Sequence, residues 1–256
     1  MFVELTKTSR VSANQAGGKA YNLQKLIKAG LPVPAAAVIP AKNLKRAEKA
    51  SKQEIIDELK KLTFVKPGKL YAVRSSGVGE DGTDNSYAGI FETYLDVTYA
   101  GIPAAIGKVY KSRESSRSDM YNLERATSVD SMAVIVQEMI SPDYAGVAFS
   151  VDPVETDERI ALIEIVAGNG ESLVSGKMTP SAVRLNKLTG MVRTLRHGKQ
   201  EIEEGALNEA ATLLAPHLIA IENYYDIPID IEWAIKSKSV YLLQARPITT
   251  LKEGQK

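Results

Sequence analysis

Near the C-terminal end of the chain, two short apolar runs carry polar groups suited to one kind of chemistry. In Ile229–Ile235, Asp230, Glu232 and Ala234 fall on one side of an extended strand, and Ile231, Trp233 and Ile235 on the other. In Val240–Arg246, Gln244 and Arg246 share a side, with Tyr241, Leu243 and Ala245 opposite them. Both apolar sides must meet one core, and that parity predicts a three-residue loop, Ser237-Lys238-Ser239. Glu232 then faces Gln244, and Asp230 faces Arg246. Carboxylate and amide oxygens suit a hard cation such as Mg²⁺, which takes few protein ligands and keeps phosphate oxygens in its shell. Arg246 beside such a metal would neutralise charge on a transferring phosphoryl group. A facing Asp–Arg pair is also what a surface salt bridge presents, worth about 0–1 kcal/mol, and the pattern fits both readings.

Two more cations stand where anions can bind. Arg74 closes the apolar run Tyr71-Ala72-Val73 and precedes the hydroxyls Ser75 and Ser76. A guanidinium fixed at a strand end can grip phosphate oxygens in a fork, although solvated arginines are common there. Lys19 sits in the first turn of a helix after Gly17-Gly18, where unpaired N–H groups favour an anion. It lacks the flanking residues of a Walker loop. Gly77-Val78-Gly79-Glu80-Asp81-Gly82 matches a dinucleotide fingerprint by spacing, but no helix begins inside it, and such a site needs one. A glycine-rich flap or a plain solvent loop fits better. Gln137, Glu138 and Met139 end a buried strand and can offer backbone to an adenine, or simply lead into a turn. His197 and His217 lack carboxylate or hydroxyl neighbours in sequence and read as non-catalytic.

The elements that must hold these groups follow from periodicity and punctuation. Residues 18–29 predict an amphipathic helix with Leu23, Leu26 and Ile27 on one face, ended by Gly30 and Pro32. Strands are expected at 33–39, 70–74, 89–97, 132–139, 145–151 and 160–166. A polar loop is expected from Ser75 to Asn85, and a glycine-rich loop over 168–180. Helices are expected at 43–62, 103–126 and 203–225, and a hairpin at 183–195 turning at Thr189-Gly190. Most strand neighbours are close in sequence. This favours an α+β protein with antiparallel sheets and two lobes, residues 1–140 and 141–256.

Composition sets bounds on this picture. A chain of 256 residues with 44% hydrophobic and 25% charged residues is ordinary for a globular protein. There is no cysteine, which rules out disulfides, thiolate nucleophiles and Cys-ligated metals and fits a cytoplasmic setting. No run approaches the roughly 18 apolar residues of a membrane span. Lys and Arg number 32 against 31 Asp and Glu, a net charge of +1, so nothing points to nucleic acid or an anionic membrane as partner.

Taken together, several segments resemble the nucleotide-binding N-terminal domain of phosphoenolpyruvate synthase and pyruvate phosphate dikinase. They run in that family's order: Gly17-Gly18-Lys19-Ala20 with Leu31-Pro32-Val33-Pro34, Ala72-Val73-Arg74-Ser75-Ser76 with Glu80-Asp81, and Ser86-Tyr87-Ala88-Gly89 with Glu92-Thr93. Val136-Gln137-Glu138-Met139 and Ala145-Gly146-Val147-Ala148-Phe149-Ser150 with Pro153 come next. Gly170-Glu171 with Val174-Ser175-Gly176 and Thr179-Pro180 follow, then Asp230-Ile231-Glu232-Trp233 and Leu243-Gln244-Ala245-Arg246-Pro247-Ile248.

The resemblance implies an ATP-grasp fold with ATP held between the lobes. Lys19 and Arg74 would contact phosphates, and Thr93 would line the same pocket. Glu138 and Met139 would present backbone to adenine with Gln137 beside it, Glu232 and Gln244 would hold Mg²⁺, and Arg246 would stabilise the transferring phosphates. In such enzymes a histidine on a separate swivelling domain is pyrophosphorylated, AMP leaves, and a third domain passes phosphate to pyruvate. Rifampin phosphotransferases look similar here but use another final acceptor.

The chain departs from the family pattern in several places. The swivelling domain with its Thr-Ser-His motif and the pyruvate-binding barrel are absent from it, and segments 41–69 and 100–130 are shorter. Ile90 and Asn169 replace a usual glutamine and leucine. The expectation is an ATP-dependent phosphotransferase acting on a histidine carrier in trans. The alternatives are direct transfer to a small molecule, including ligase-type chemistry, and a nucleotide-sensing module without chemistry.

Overall fold

The computed structural model describes residues 1–77, 81–82, 85–86, 92–121, 132–153, 155, 157–170, 173 and 178–248, with 81–82, 85–86 and 113–121 described by backbone alone. The chain divides into two compact units, one of Met1–Lys28 with Pro34–Met139 and one of Ala29–Val33 with Ile140–Lys256. The short Ala29–Val33 segment joins the second unit through its Pro32 carbonyl, which accepts the Leu242 N–H at 2.8 Å.

The first unit is built on a five-stranded antiparallel sheet of β1 (Val3–Glu4), β2 (Ala36–Ile39), β7 (Met132–Glu138), β3 (Leu70–Gly77) and β6 (Thr93–Thr98), in that order. β7 lies at its centre, and only its last residue escapes burial, which is why it reads as an unbroken apolar run. Alternate residues of β2, β3 and β7, among them Ile39, Tyr71, Val73, Val134 and Val136, pack with α2 (Ala41–Lys49), α3 (Lys52–Leu59) and α4 (Ile102–Tyr121). The other face, with Ala72, Arg74 and Ser76 on β3, takes α1 (Ala13–Lys28), which packs on β2, β3 and β7 and buries Ala20, Leu23 and Leu26.

Several boundaries differ from expectation for local reasons. The helix predicted over 43–62 is two helices. Ser51 caps the second, accepting from the Glu54 N–H at 3.2 Å, while the Glu54 carboxylate accepts from the Ser51 N–H at 2.7 Å. This capping box restarts the helix. β3 continues through Gly77, so Ser75 and Ser76 are strand and not loop. β4 (Asp81–Gly82) and β5 (Asn85–Ser86) form a short pair. The rest of that predicted loop, Ile90, the tail of the 103–126 helix and most of 171–177 lie outside the described residues.

The second unit holds a six-stranded antiparallel sheet of β11 (Val192–Arg196), β10 (Ser181–Asn186), β9 (Ile160–Ala167), β8 (Tyr144–Phe149), β12 (Ile229–Lys236) and β13 (Ser239–Pro247), in that order. α5 (Glu204–Tyr225) covers one face through Leu207, Ala210, Ala211, Leu214, Leu218 and Ile221, an apolar stripe at helical spacing. Along β9, Ala161, Ile163 and Ile165 are buried, whereas Leu162 and Glu164 are half-buried. The second face of this sheet therefore carries the polar side chains. Among the described residues, no helix is long and apolar enough to cross a membrane.

Candidate functional site

The polar group of the second unit comes from β12 and β13. Glu232 pairs with Gln244 and Asp230 with Arg246, the register expected from alternation. The connection, however, is not a three-residue loop. Lys236 pairs with Ser239, leaving Ser237 and Lys238 as a two-residue turn, both at positive φ (46° and 64°), as a primed hairpin turn requires. Parity is recovered by a bulge: Trp233 pairs with Leu242, so Leu243 is the extra residue. Val240 and Leu242 consequently face the core with Trp233 and Ile235, and Tyr241 lies opposite Ala234 on the polar side. The polar pairs are as expected; the apolar assignment of Tyr241 and Leu243 is corrected.

The strand β12 is held from both sides, by β13 and by β8. Gly146 on β8 admits the Trp233 ring: a Cβ there would lie 2.8 Å from the ring and 1.8 Å from the Glu164 carbonyl oxygen. This anchored strand fixes Asp230, whose carboxylate accepts the Arg246 Nε–H at 2.6 Å. The side chain of Asp230 is 8% exposed and that of Arg246 42%, so the pair is rooted at its acidic end. Burial pushes the Asp230 carboxyl above its ordinary value, Arg246 opposes that, and the charges of Glu232 and Glu164 add to it.

Glu164 was not singled out by sequence. It lies in the same cross-sheet row as Glu232, through Val147, and also pairs with Arg196 at 2.6 Å. The signal was there as a lone charge at an alternate position of an apolar strand. Among the described residues no cluster of three or more His, Cys, Asp or Glu side chains could hold a metal. What the face offers is Glu232 with the Gln244 amide in register, an oxygen donor pair of the kind a hard divalent cation takes alongside substrate phosphates.

Lys19, Arg74 and Thr93 all belong to the first unit. Arg74 pairs with Thr93 on β6 and with Ile135 on β7, on the face that receives α1. α1 is broken at Gly17 (φ 76°, ψ 169°), so its helical course restarts at Gly18. The break requires glycine, because φ is positive and a Cβ on Gly17 would stand 2.3 Å from the Ser76 carbonyl oxygen. The restarted helix has no side chain at its own N-cap. Ser76 supplies one from β3, its Oγ accepting the Ala20 N–H at 3.1 Å inside the protein, and a cap of this kind contributes about 1 kcal/mol. Ser75 is engaged too, its Oγ donating to the Glu92 carbonyl at 3.1 Å. The two hydroxyls expected beside a phosphate are buried and structural.

Gln137 pairs with Ala72 and shares the Arg74 face of the sheet. It is 2% exposed, and its Nε2 has no hydrogen-bond partner among the described residues. The Glu138 N–H donates to the Ala35 carbonyl at 2.8 Å, and the Met139 N–H to the Leu70 carbonyl at 2.9 Å. Any backbone contact these two make to a base therefore comes through a carbonyl. The Glu138 carboxylate pairs with Lys69. His197 is exposed, and His217 is held below its usual value by burial on α5.

Two antiparallel sheets, each covered by helices and each carrying polar groups on one face, define an α+β protein. Residues 48–256 match the family described as pyruvate phosphate dikinase, AMP/ATP-binding domain. The chain belongs to that family. It is 33% identical to the uncharacterized phosphotransferase YvkC of Bacillus subtilis (strain 168), over 100% of this chain and 36% of that protein. It is 32% identical to the prodigiosin synthesizing transferase PigC of Serratia marcescens, over 98% of this chain and 33% of that one. A probable phosphoenolpyruvate synthase of Archaeoglobus fulgidus is 29% identical over 94% and 40% respectively. The chain thus spans about a third of the length of these relatives.

Proposed function

We propose that this chain binds Mg·ATP and directs a phosphoryl or pyrophosphoryl group to a histidine carrier on a separate domain or protein. One observation carries the reading: the register that sets Glu232 opposite Gln244, with Arg246 two pairs further along, its Nε held by Asp230. A Lewis-acidic Mg²⁺ at Glu232 and Gln244 would polarise the phosphate chain. Arg246, held at Nε by Asp230, would stabilise the charge that shifts onto phosphoryl oxygens during transfer. Lys19 and Arg74 neutralise the phosphates, with Thr93 beside them. Gln137 offers a buried amide donor to the base, and Glu138 and Met139 offer carbonyls.

The acceptor in this reading is a histidine on that separate domain or protein. Attack of a histidine ring nitrogen on the β-phosphorus releases AMP, and attack on the γ-phosphorus releases ADP. The probable phosphoenolpyruvate synthases among the relatives support ATP-dependent phosphoryl transfer as the chemistry. The test is to mix the chain with Mg·ATP and a separately produced phosphohistidine swivelling domain, and to follow AMP and ADP. Nucleotide release that requires the carrier histidine is expected. Release driven by a carboxylate or alcohol with no carrier, or no turnover with any carrier, would contradict the proposal.

A further inference from the structure

We infer that the contact between Ser76 and the Gly17 break is a positioning device, which sets the Lys19 turn against the strand bearing Arg74 so that both cations address one phosphate chain. This rests on the reading of Lys19 and Arg74 as phosphate-binding groups, and deepens it. Three observations converge on the contact. Gly17 adopts φ 76° where a Cβ would collide with the Ser76 backbone and Oγ, 2.3–2.5 Å away. Ser76 is fully buried, and its hydroxyl accepts the N–H of Ala20, the residue after Lys19. Ser76 is also two residues beyond Arg74 on the same strand face.

A helix whose cap came from its own N-cap residue could shift as a unit with its loop. Here the cap belongs to the neighbouring strand, so the first turn of the helix and the end of β3 move together. Lys19 lies between the break and the capped amide, on the one turn this contact fixes. A flexible lysine stem gains little directed affinity unless its backbone origin is set. Ser76 is therefore a positioning residue acting through Lys19, and it need not touch the nucleotide.

The experiment measures affinities of the full chain for ATP, ADP and AMP, with Mg²⁺, in the parent, Ser76→Ala, Lys19→Ala, Arg74→Ala and the Ser76→Ala/Lys19→Ala pair. Ser76→Ala is expected to weaken ATP about threefold to tenfold, as a misplaced Lys19 contact would, and to leave AMP nearly unchanged. In the Lys19→Ala background the same change should cost almost nothing, as coupled residues require. A loss shared equally by ATP and AMP, or one that is additive with Lys19→Ala, would overturn the inference and leave the nucleotide site standing. ATP affinity unchanged in both Lys19→Ala and Arg74→Ala would instead overturn the underlying reading.

Amide exchange in the unaltered protein gives an answer even if Ser76→Ala does not fold. The Ala20 amide should be protected before nucleotide is added, and the Gly18 and Lys19 amides should gain protection only with ATP. Ala20 exchanging as fast as Lys19 in the free protein would overturn the inference.

Discussion

The two units present their chemistry in opposite ways. In the first, the candidate cations come from separate elements, Lys19 from a helix and Arg74 from a strand, and the Ser76 hydroxyl ties those two elements together at the Ala20 N–H. In the second, Asp230, Glu232, Gln244 and Arg246 come from one hairpin, and register alone aligns them. Tertiary contacts far apart in sequence set the first group, so a single lost hydroxyl can move it. Strand pairing sets the second, and Gly146, Trp233 and α5 hold that strand from the core side. The first arrangement suits holding a ligand of variable length. The second suits fixing a metal and a guanidinium to within a fraction of an ångström.

That contrast can be broken most severely at Arg246. Arg246→Ala should lower carrier-dependent turnover by at least about a hundredfold, while ATP affinity stays within about tenfold, as for a contact made mainly in the transition state. Steady-state rates beside calorimetric binding separate the two quantities, and equal losses in both would remove the distinction. The mirror image is expected in the first unit. Arg74→Ala should weaken ATP by about tenfold or more, the worth of a charge-assisted hydrogen bond at about 1.5–3 kcal/mol, whereas the rate at saturating ATP should fall much less.

Smaller effects sharpen the account of the hairpin. Ser237 and Lys238 both occupy left-handed backbone without being glycine, at a cost of roughly 1 kcal/mol each. Replacing them by Asn and Gly should raise stability by about 1 kcal/mol in denaturant unfolding, with the Glu232–Gln244 pairing retained. A destabilised variant would mean that the turn is not a primed one. The smallest effect belongs to His217. Burial holds its folded-state pKa below the ordinary histidine value, so the folded state binds fewer protons than the unfolded chain in that window. Its contribution is complete above about pH 6.5 and is lost as pH falls through the lowered value. Urea midpoints at pH 7.5 and 5.5 should differ less in His217→Gln than in the parent.

The same contrast explains what the residues alone revealed. Alternation in 229–246 was enough to pair Glu232 with Gln244 and Asp230 with Arg246, because side-chain parity in a strand admits only two answers. The loop length derived from it was wrong, since a bulge adds a residue that parity counting cannot see, and Leu243 left no mark of its own. The Ser51–Glu54 capping box was visible in the sequence and was read through as continuous helix. Ser76 could not have been assigned, because its partner Ala20 lies 56 residues away and a hydroxyl after an arginine looks the same whether it faces phosphate or an amide. Family resemblance gathered residues into a candidate site; packing showed that Ser75 and Ser76 beside them are fasteners.

A metal-dependent nucleotide site with Glu232 and Gln244 on the metal can be read by calorimetric titration of ATP with excess Mg²⁺ and then with a chelator. The parent should bind Mg·ATP at least about tenfold more tightly than metal-free ATP, a difference of about 1.4 kcal/mol. Glu232→Gln should lose most of that gain and keep the metal-free affinity. Equal affinities with and without Mg²⁺ in the parent, or a full Mg²⁺ gain surviving in Glu232→Gln, would contradict it.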